Sequence, residues 1–292
     1  MPSWGDVLKE IQSGSLTLDG VRRAYLQKLH NYVGRNIIAY YSGWLSNQRA
    51  RGVDINDMDI NGFMTAIQGL DCSLGLDLIL HTPGGGISAT EHIVSYLKAK
   101  FGNNIRAFVP QIAMSAGTML ACSCSAIIMG KQSCIGPIDP QFAGVSARGV
   151  VEEFNKAIRE TTDKPHSIAI WREIIGKYHP TMIDSCQKAW DRSLTMLKDW
   201  LNGNMFKDSQ DVDIQSIVNQ LADIGHNLGH DKHISFAEAQ SMGLKISMLE
   251  DDQELQELVL TVHHCFMHTF SGVPTATKII ENHNGAAVVN FG

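Results

Sequence analysis

Two strand-to-helix turns carry the residues of this chain best suited to chemistry. The first is Leu76–Leu80 running into His81-Thr-Pro-Gly-Gly-Gly86, and the second is Ala113-Met-Ser-Ala-Gly117. Glycines at a turn free backbone N–H groups to approach a ligand closely. A serine where a helix begins sits in the positive potential of that helix. Together they suit acyl transfer: the Ser115 hydroxyl attacks a carbonyl, and N–H donors stabilise the oxyanion that forms, each worth roughly 3 kcal/mol. The donors this spacing offers are the N–H of Gly85 and that of Ala116, the residue after the serine. A serine at a helix start is also a common N-cap, and His81, at a strand end, also reads as a hydrogen-bonded structural group.

The elements that must position these residues are legible nearby. Leu74–Leu80 reads as a buried strand, and Thr90, Ile93, Val94, Leu97 and Phe101 give the next helix one apolar face. Ile105–Val109 is a second short strand, and the small and apolar run Ser115–Ser125 is a second helix. Both turns should therefore emerge at the carboxyl edge of one parallel sheet, where open α/β sheets place their sites.

Four segments, in order, resemble the Clp-fold serine peptidases, the group that holds the Clp proteolytic subunit and signal peptide peptidase A. They are Leu80-His-Thr-Pro-Gly-Gly85, Ala113-Met-Ser-Ala-Gly117, Ile135-Gly-Pro-Ile-Asp-Pro-Gln141 and Ile234-Ser-Phe-Ala-Glu-Ala-Gln-Ser-Met-Gly-Leu244. H-T-P-G-G and G-P-[IV]-D-P-Q are features of the subfamily of serine dehydrogenase proteinases, and the resemblance runs from about Asn36 to Leu249. It implies an α/β fold with a Clp/crotonase-type repeated ββα core and additional N- and C-terminal helices. It also implies a serine endopeptidase with Ser115 as nucleophile and Gly85 and Ala116 as oxyanion hole, a peptide or protein substrate, no cofactor, and assembly into a homo-oligomer.

One departure from that pattern concerns the base. Gly136 stands where the Clp proteolytic subunit has its triad histidine, and Asp231, at the place of the triad aspartate, is left without a clear partner. Signal peptide peptidase A uses a lysine instead, and the helical stretch Thr181–Leu201 presents Lys188 and Lys198. Lys188 interrupts the small-residue part of that helix and is the expected base, provided its environment keeps it neutral. His179, His230 and His233 are the other proton acceptors in suitable regions. Two further readings follow from the same residues: a catalytically silent scaffold or binding protein, and an acyl-CoA enzyme of the crotonase branch.

The rest of the sequence narrows the class. The chain has 292 residues, 44% hydrophobic and 18% charged, with a net charge of −6, ordinary for a globular protein and without the basic footprint of a nucleic-acid surface. No apolar run reaches a membrane span, and the N-terminus has no signal pattern. Six cysteines without paired spacing read as reduced core residues of a cytoplasmic protein. The expected division is an N-terminal helical extension at 1–35, a peptidase domain at 36–250 and a C-terminal helix and tail at 251–292. Within it, Leu16–Val33 is an amphipathic helix carrying Arg22 on its polar side, and 47–61 is a solvated acidic loop. Chain beyond Phe142 is mainly helical up to a possible final strand at Ala286–Phe291. Gly84-Gly-Gly86-Ile-Ser-Ala89 fits a dinucleotide turn, but no acidic residue ends the next strand. His263, His264 and His268 have no completing carboxylate for a metal and read as surface histidines.

Overall fold

The computed structural model describes residues 4–13, 17–47, 50–142, 144–209, 211–222 and 232–292. Its centre is a seven-stranded mixed sheet. In chain order the strands are β1 (Asn36–Ser42), β2 (Leu76–His81), β3 (Ile105–Val109), β4 (Ala126–Met129), β5 (Ile246–Met248), β6 (Ala276–Asn282) and β7 (Ala287–Phe291). Spatially they run β5-β4-β3-β2-β1-β6-β7, the first five parallel and the last two antiparallel.

Alternation along each strand divides the core. Ile37, Ala39, Tyr41, Ile79 and Phe108 point to one face, where Leu26 and Leu29 of α1 (Leu18–Val33) and Val259, Val262 and Phe266 of α7 (Gln253–Gly272) cover them. Ile38, Tyr40, Leu78, Leu80 and Ala107 point to the other face. There they meet α2 (Asp59–Ile67), α3 (Ile87–Phe101) and the short α4 (Ala116–Cys122). Strands buried on both sides read in sequence as largely apolar runs, which is why β2 and β3 stand where their composition puts them. Two longer helices, α5 (Ala147–Asp163) and α6 (Met182–Trp200), pack against each other beside this face.

Several expectations are corrected here. β6 is fully buried and pairs with β1, so the segment 251–292 is built into the central sheet, and chain beyond Phe142 is less uniformly helical than its composition suggests. Asp59 is enclosed, not solvated, and binds Lys278 of β6. Arg22 of α1 is also enclosed, paired with Glu281 of β6 and with Asp19. His263 and His268 are buried, because α7 turns its histidines toward Tyr41, His81 and Trp4. The possible final strand is β7, at Ala287–Phe291. Among the described residues no helix is long and apolar enough to cross a membrane.

Candidate active site

The strap after β2 is held between two backbone partners. On one side Thr82 forms a parallel bridge with Ala113: Thr82 N–H donates to Ile112 O at 3.2 Å, and Met114 N–H donates to Thr82 O at 3.0 Å. On the other side Ile55 bridges Gly85, its N–H donating to Gly84 O and its carbonyl accepting from Gly86 N–H, both at 2.8 Å. In a parallel ladder these bonds use the groups flanking Gly85, so the Gly85 N–H and C=O face away from Ile55. Glycine is required on both counts of space. A β-carbon on Gly85 would lie 2.3 Å from Ile55 N, and one on Gly84 would lie 2.7 Å from Met114 O and 2.9 Å from Ser115 Cβ.

Ser115 occupies the turn into α4 with φ 48° and ψ −112°. A positive φ is uncommon for a residue with a side chain, and such strain, about 1–3 kcal/mol, clusters at functional sites. The hydroxyl does not cap the helix that it precedes, so the commonest structural reason for a serine here does not apply. The half-buried Ser115 and Gly85 both line a cavity of about 360 Å³. Its apolar wall includes Met119, Ile138 and Phe142, and helix α6 contributes Ala189 and Ser193.

Asp139, in the Gly-Pro-Ile-Asp-Pro-Gln segment, is the acidic lining residue of this cavity and is almost fully buried. Its carboxylate accepts from Gln141 Nε2 at 2.7 Å and from Ser146 Oγ at 3.0 Å. Ser146 in turn caps α5 through Gly149 N–H. The motif by itself gives Asp139 no role; a buried carboxylate between Pro137 and Pro140, in the irregular chain after Cys134–Ile135, is the signal that marks it.

Lys188 does not join Ser115. Its side chain is 76% exposed and pairs with Asp184 one turn earlier at 2.7 Å. Adjacent helix positions lie about 100° apart, so Ala189 facing the cavity turns Lys188 away from it. Lys198 binds Gln215 Oε1 at 3.0 Å, His179 is exposed beside its own Pro180 carbonyl, and His233 is exposed. His230 and Asp231 lie outside the described residues. Among the described residues, no lysine or histidine nitrogen makes a hydrogen bond to Ser115.

His81 lies on the opposite face of the sheet. Alternation puts it beside Ile79, stacked on Tyr41 and close to His263. Its ring nitrogens lie 3.1 Å from Ser42 O and 3.0 Å from Gln111 Oε1. Burial pushes its pKa down to about 4, against a smaller raising effect of those two contacts. The place of a triad histidine is equally closed: Gly136 hydrogen-bonds Thr118 Oγ1 through both its N–H and its C=O. A β-carbon there would lie 2.6 Å from the Met114 methyl.

A strained, uncapped serine beside a glycine strap at the carboxyl edge of a mixed α/β sheet is the arrangement of a serine peptidase. Residues 43–286 match the ClpP-like SDH-type serine proteinases, and the chain belongs to that family. Two uncharacterized proteins of Methanocaldococcus jannaschii, MJ0137 and MJ1495, are similar to it, 37% identical over 94 residues and 32% identical over 106 residues. Those matches cover 32% and 36% of this chain and the same shares of the two relatives, so about a third of each relative's length is spanned. Among solved structures, the membrane-bound stomatin-specific protease 1510-N, in a serine-to-alanine form, aligns over 70% of this chain and 79% of its own at 17% identity with a TM-score of 0.42.

Proposed function

We propose that the chain is a serine endopeptidase in which Ser115 is the nucleophile and the N–H groups of Gly85 and Ala116 form the oxyanion hole. The observation that carries the proposal is the Ser115 backbone: a strained turn presents a hydroxyl to a cavity instead of capping the helix. In the reaction Ser115 Oγ forms a bond to the carbonyl carbon of the scissile peptide while its proton passes to a base. The carbonyl electrons move onto oxygen, where the two N–H groups meet them, and collapse expels the amine as it takes up a proton. Water then releases the acyl group by the same steps. The apolar wall of Met119, Ile138 and Phe142 favours an apolar side chain beside the scissile bond. Exposed Ile158, Ile168 and Ile170 on and beside α5 support self-association.

The absence of a lysine or histidine bond to Ser115 among the described residues favours a second reading, a catalytically silent binding protein. One experiment decides between the two. A fluorophosphonate probe labels an activated serine only, so the wild-type protein should label and cleave a casein substrate. Ser115→Ala should lose both while its thermal midpoint stays close to wild type, since no cap is removed. A wild-type protein that neither labels nor cleaves establishes the silent reading.

A further inference from the structure

The strongest unused feature of the molecule is an enclosed lysine that the proposed chemistry does not touch. Lys278 of β6 is fully buried, and its ammonium donates to Asp59 Oδ1 and to the carbonyl oxygen of Asp54, both at 2.6 Å. The second contact matters because of what the Asp54 carbonyl belongs to. Asp54 C=O and Ile55 N–H are two ends of one peptide group, and Ile55 N–H donates to Gly84 O. Gly84 C=O and Gly85 N–H are again two ends of one peptide group. From ammonium to oxyanion donor the path therefore runs through two peptide groups and two hydrogen bonds.

We propose that Lys278 is a positioning residue that aims and polarises the Gly85 N–H through the peptide groups Asp54–Ile55 and Gly84–Gly85. The inference rests on the reading of Gly85 N–H as an oxyanion donor. A cation hydrogen-bonded to a carbonyl draws electron density from its peptide group, so the N–H of that group becomes a stronger donor. Hydrogen bonds in such chains strengthen one another by about 10–30% per bond inside a low-dielectric interior. The geometry is also fixed mechanically. Asp59 accepts from Tyr40 OH at 2.7 Å and Asn56 N–H at 3.0 Å in addition to Lys278. These bonds close the loop 54–59 around Ile55, which is itself buried.

The chain supplies its own internal control. Gly86 N–H donates to Ile55 O, and the Ile55–Asn56 peptide group leads through Asn56 N–H to Asp59 rather than to Lys278. Glycine follows glycine in this sequence only at Gly85 and Gly86. Protein carrying both carbonyl-¹³C and ¹⁵N glycine therefore gives carbonyl-filtered amide signals from those two residues alone.

The test compares wild type with Lys278→Met/Asp59→Asn, in which neither charge is stranded, and with Asp59→Asn alone, which keeps the lysine contact to Asp54 O. The expected result is that Gly86 moves alike in the two variants, through Asn56, while the Gly85 amide proton moves further upfield in the double variant than in Asp59→Asn. In turnover the double variant should lose roughly tenfold in kcat with KM unchanged, a fraction of the 10²–10³ that removal of a whole oxyanion donor costs. Equal Gly85 shifts, or equal kcat losses, in the two variants overturn the proposal, because loss of the carboxylate alone would then account for the effect. So does an unshifted Gly85. If wild-type Ser115 neither labels nor turns over, the peptidase reading fails by itself, and the two amide signals still decide the relay.

Discussion

Lys278–Asp59 and Lys188–Asp184 are nearly the same pair by length, 2.6 Å and 2.7 Å, and opposite in setting. The first has both side chains fully enclosed between β6, α2 and the glycine strap, whereas the second is 76% and 62% exposed on α6. Ion pairs in water contribute about 0–1 kcal/mol, because solvent screens them and two long side chains must be ordered. An enclosed pair need not stabilise more than an apolar replacement would, but loss of one partner strands the other charge. The two pairs therefore differ in consequence far more than in geometry, and only the enclosed one touches the peptide groups that lead to Gly85.

The largest effect should come from Asp59→Leu. It leaves the Lys278 ammonium without its carboxylate and takes an acceptor from Tyr40 and Asn56, which should cost about 3–5 kcal/mol. Chemical denaturation would check this, and a loss below about 1 kcal/mol would make the enclosed pair no different from a surface one. Asp184→Leu in the same assay is the matched comparison.

Acid separates the interior from the surface a second way. His81 has a folded pKa of about 4, depressed by burial from its ordinary value near 6.5. The folded protein resists a proton that the unfolded chain accepts, so the stability tied to a neutral His81 is complete above about pH 6.5. It is lost as pH falls toward 4, by about 3 kcal/mol at 1.36 kcal/mol per unit. His283, buried and likewise lowered to about 4 by burial, acts in the same direction. Denaturation midpoints from pH 7 to pH 4 should show the fall, and His81→Gln should make it shallower, with His283 keeping part of the slope. A wild-type profile without slope in that window would mean that His81 is not held neutral by its surroundings.

The smallest effect is expected at the surface pair. Lys188→Ala should change stability by less than about 0.5 kcal/mol and leave fluorophosphonate labelling of Ser115 intact. A lost labelling rate in that variant would bring Lys188 back to the reaction and break the contrast between the pairs.

The same contrast explains what could be read from the sequence. The turns that hold Ser115 and the glycine strap were legible because local backbone sets them: a turn, a close approach, a helix start. Strands β2 and β3 were legible because their faces are largely buried and a single charged residue, Asp77 in one and Arg106 in the other, interrupts each apolar run. β6 was not, since Lys278 and Glu281 interrupt Ala276–Asn282 and their partners Asp59 and Arg22 lie far away in the chain. Asp59 passed for a solvated loop residue for the same reason. The base was not legible either. Whether a helix offers a cavity Lys188 or Ala189 depends on about 100° of rotation, and the neighbouring elements decide that rotation. His81 shows the converse, because strand alternation alone sends it to the face away from Ser115.

Ser115 also sets a direction for descent. Its φ of 48° suits glycine better than any residue with a side chain, and on the proposed reading the strain of holding a serine there, about 1–3 kcal/mol, places the nucleophilic hydroxyl. In a lineage that no longer needs hydrolysis, glycine at this position relieves the strain while leaving the strap, the sheet and the cavity in place. Relatives that have become binding proteins should carry that trace, so the residue at this one turn is expected to separate working copies from retired ones more sharply than overall identity does.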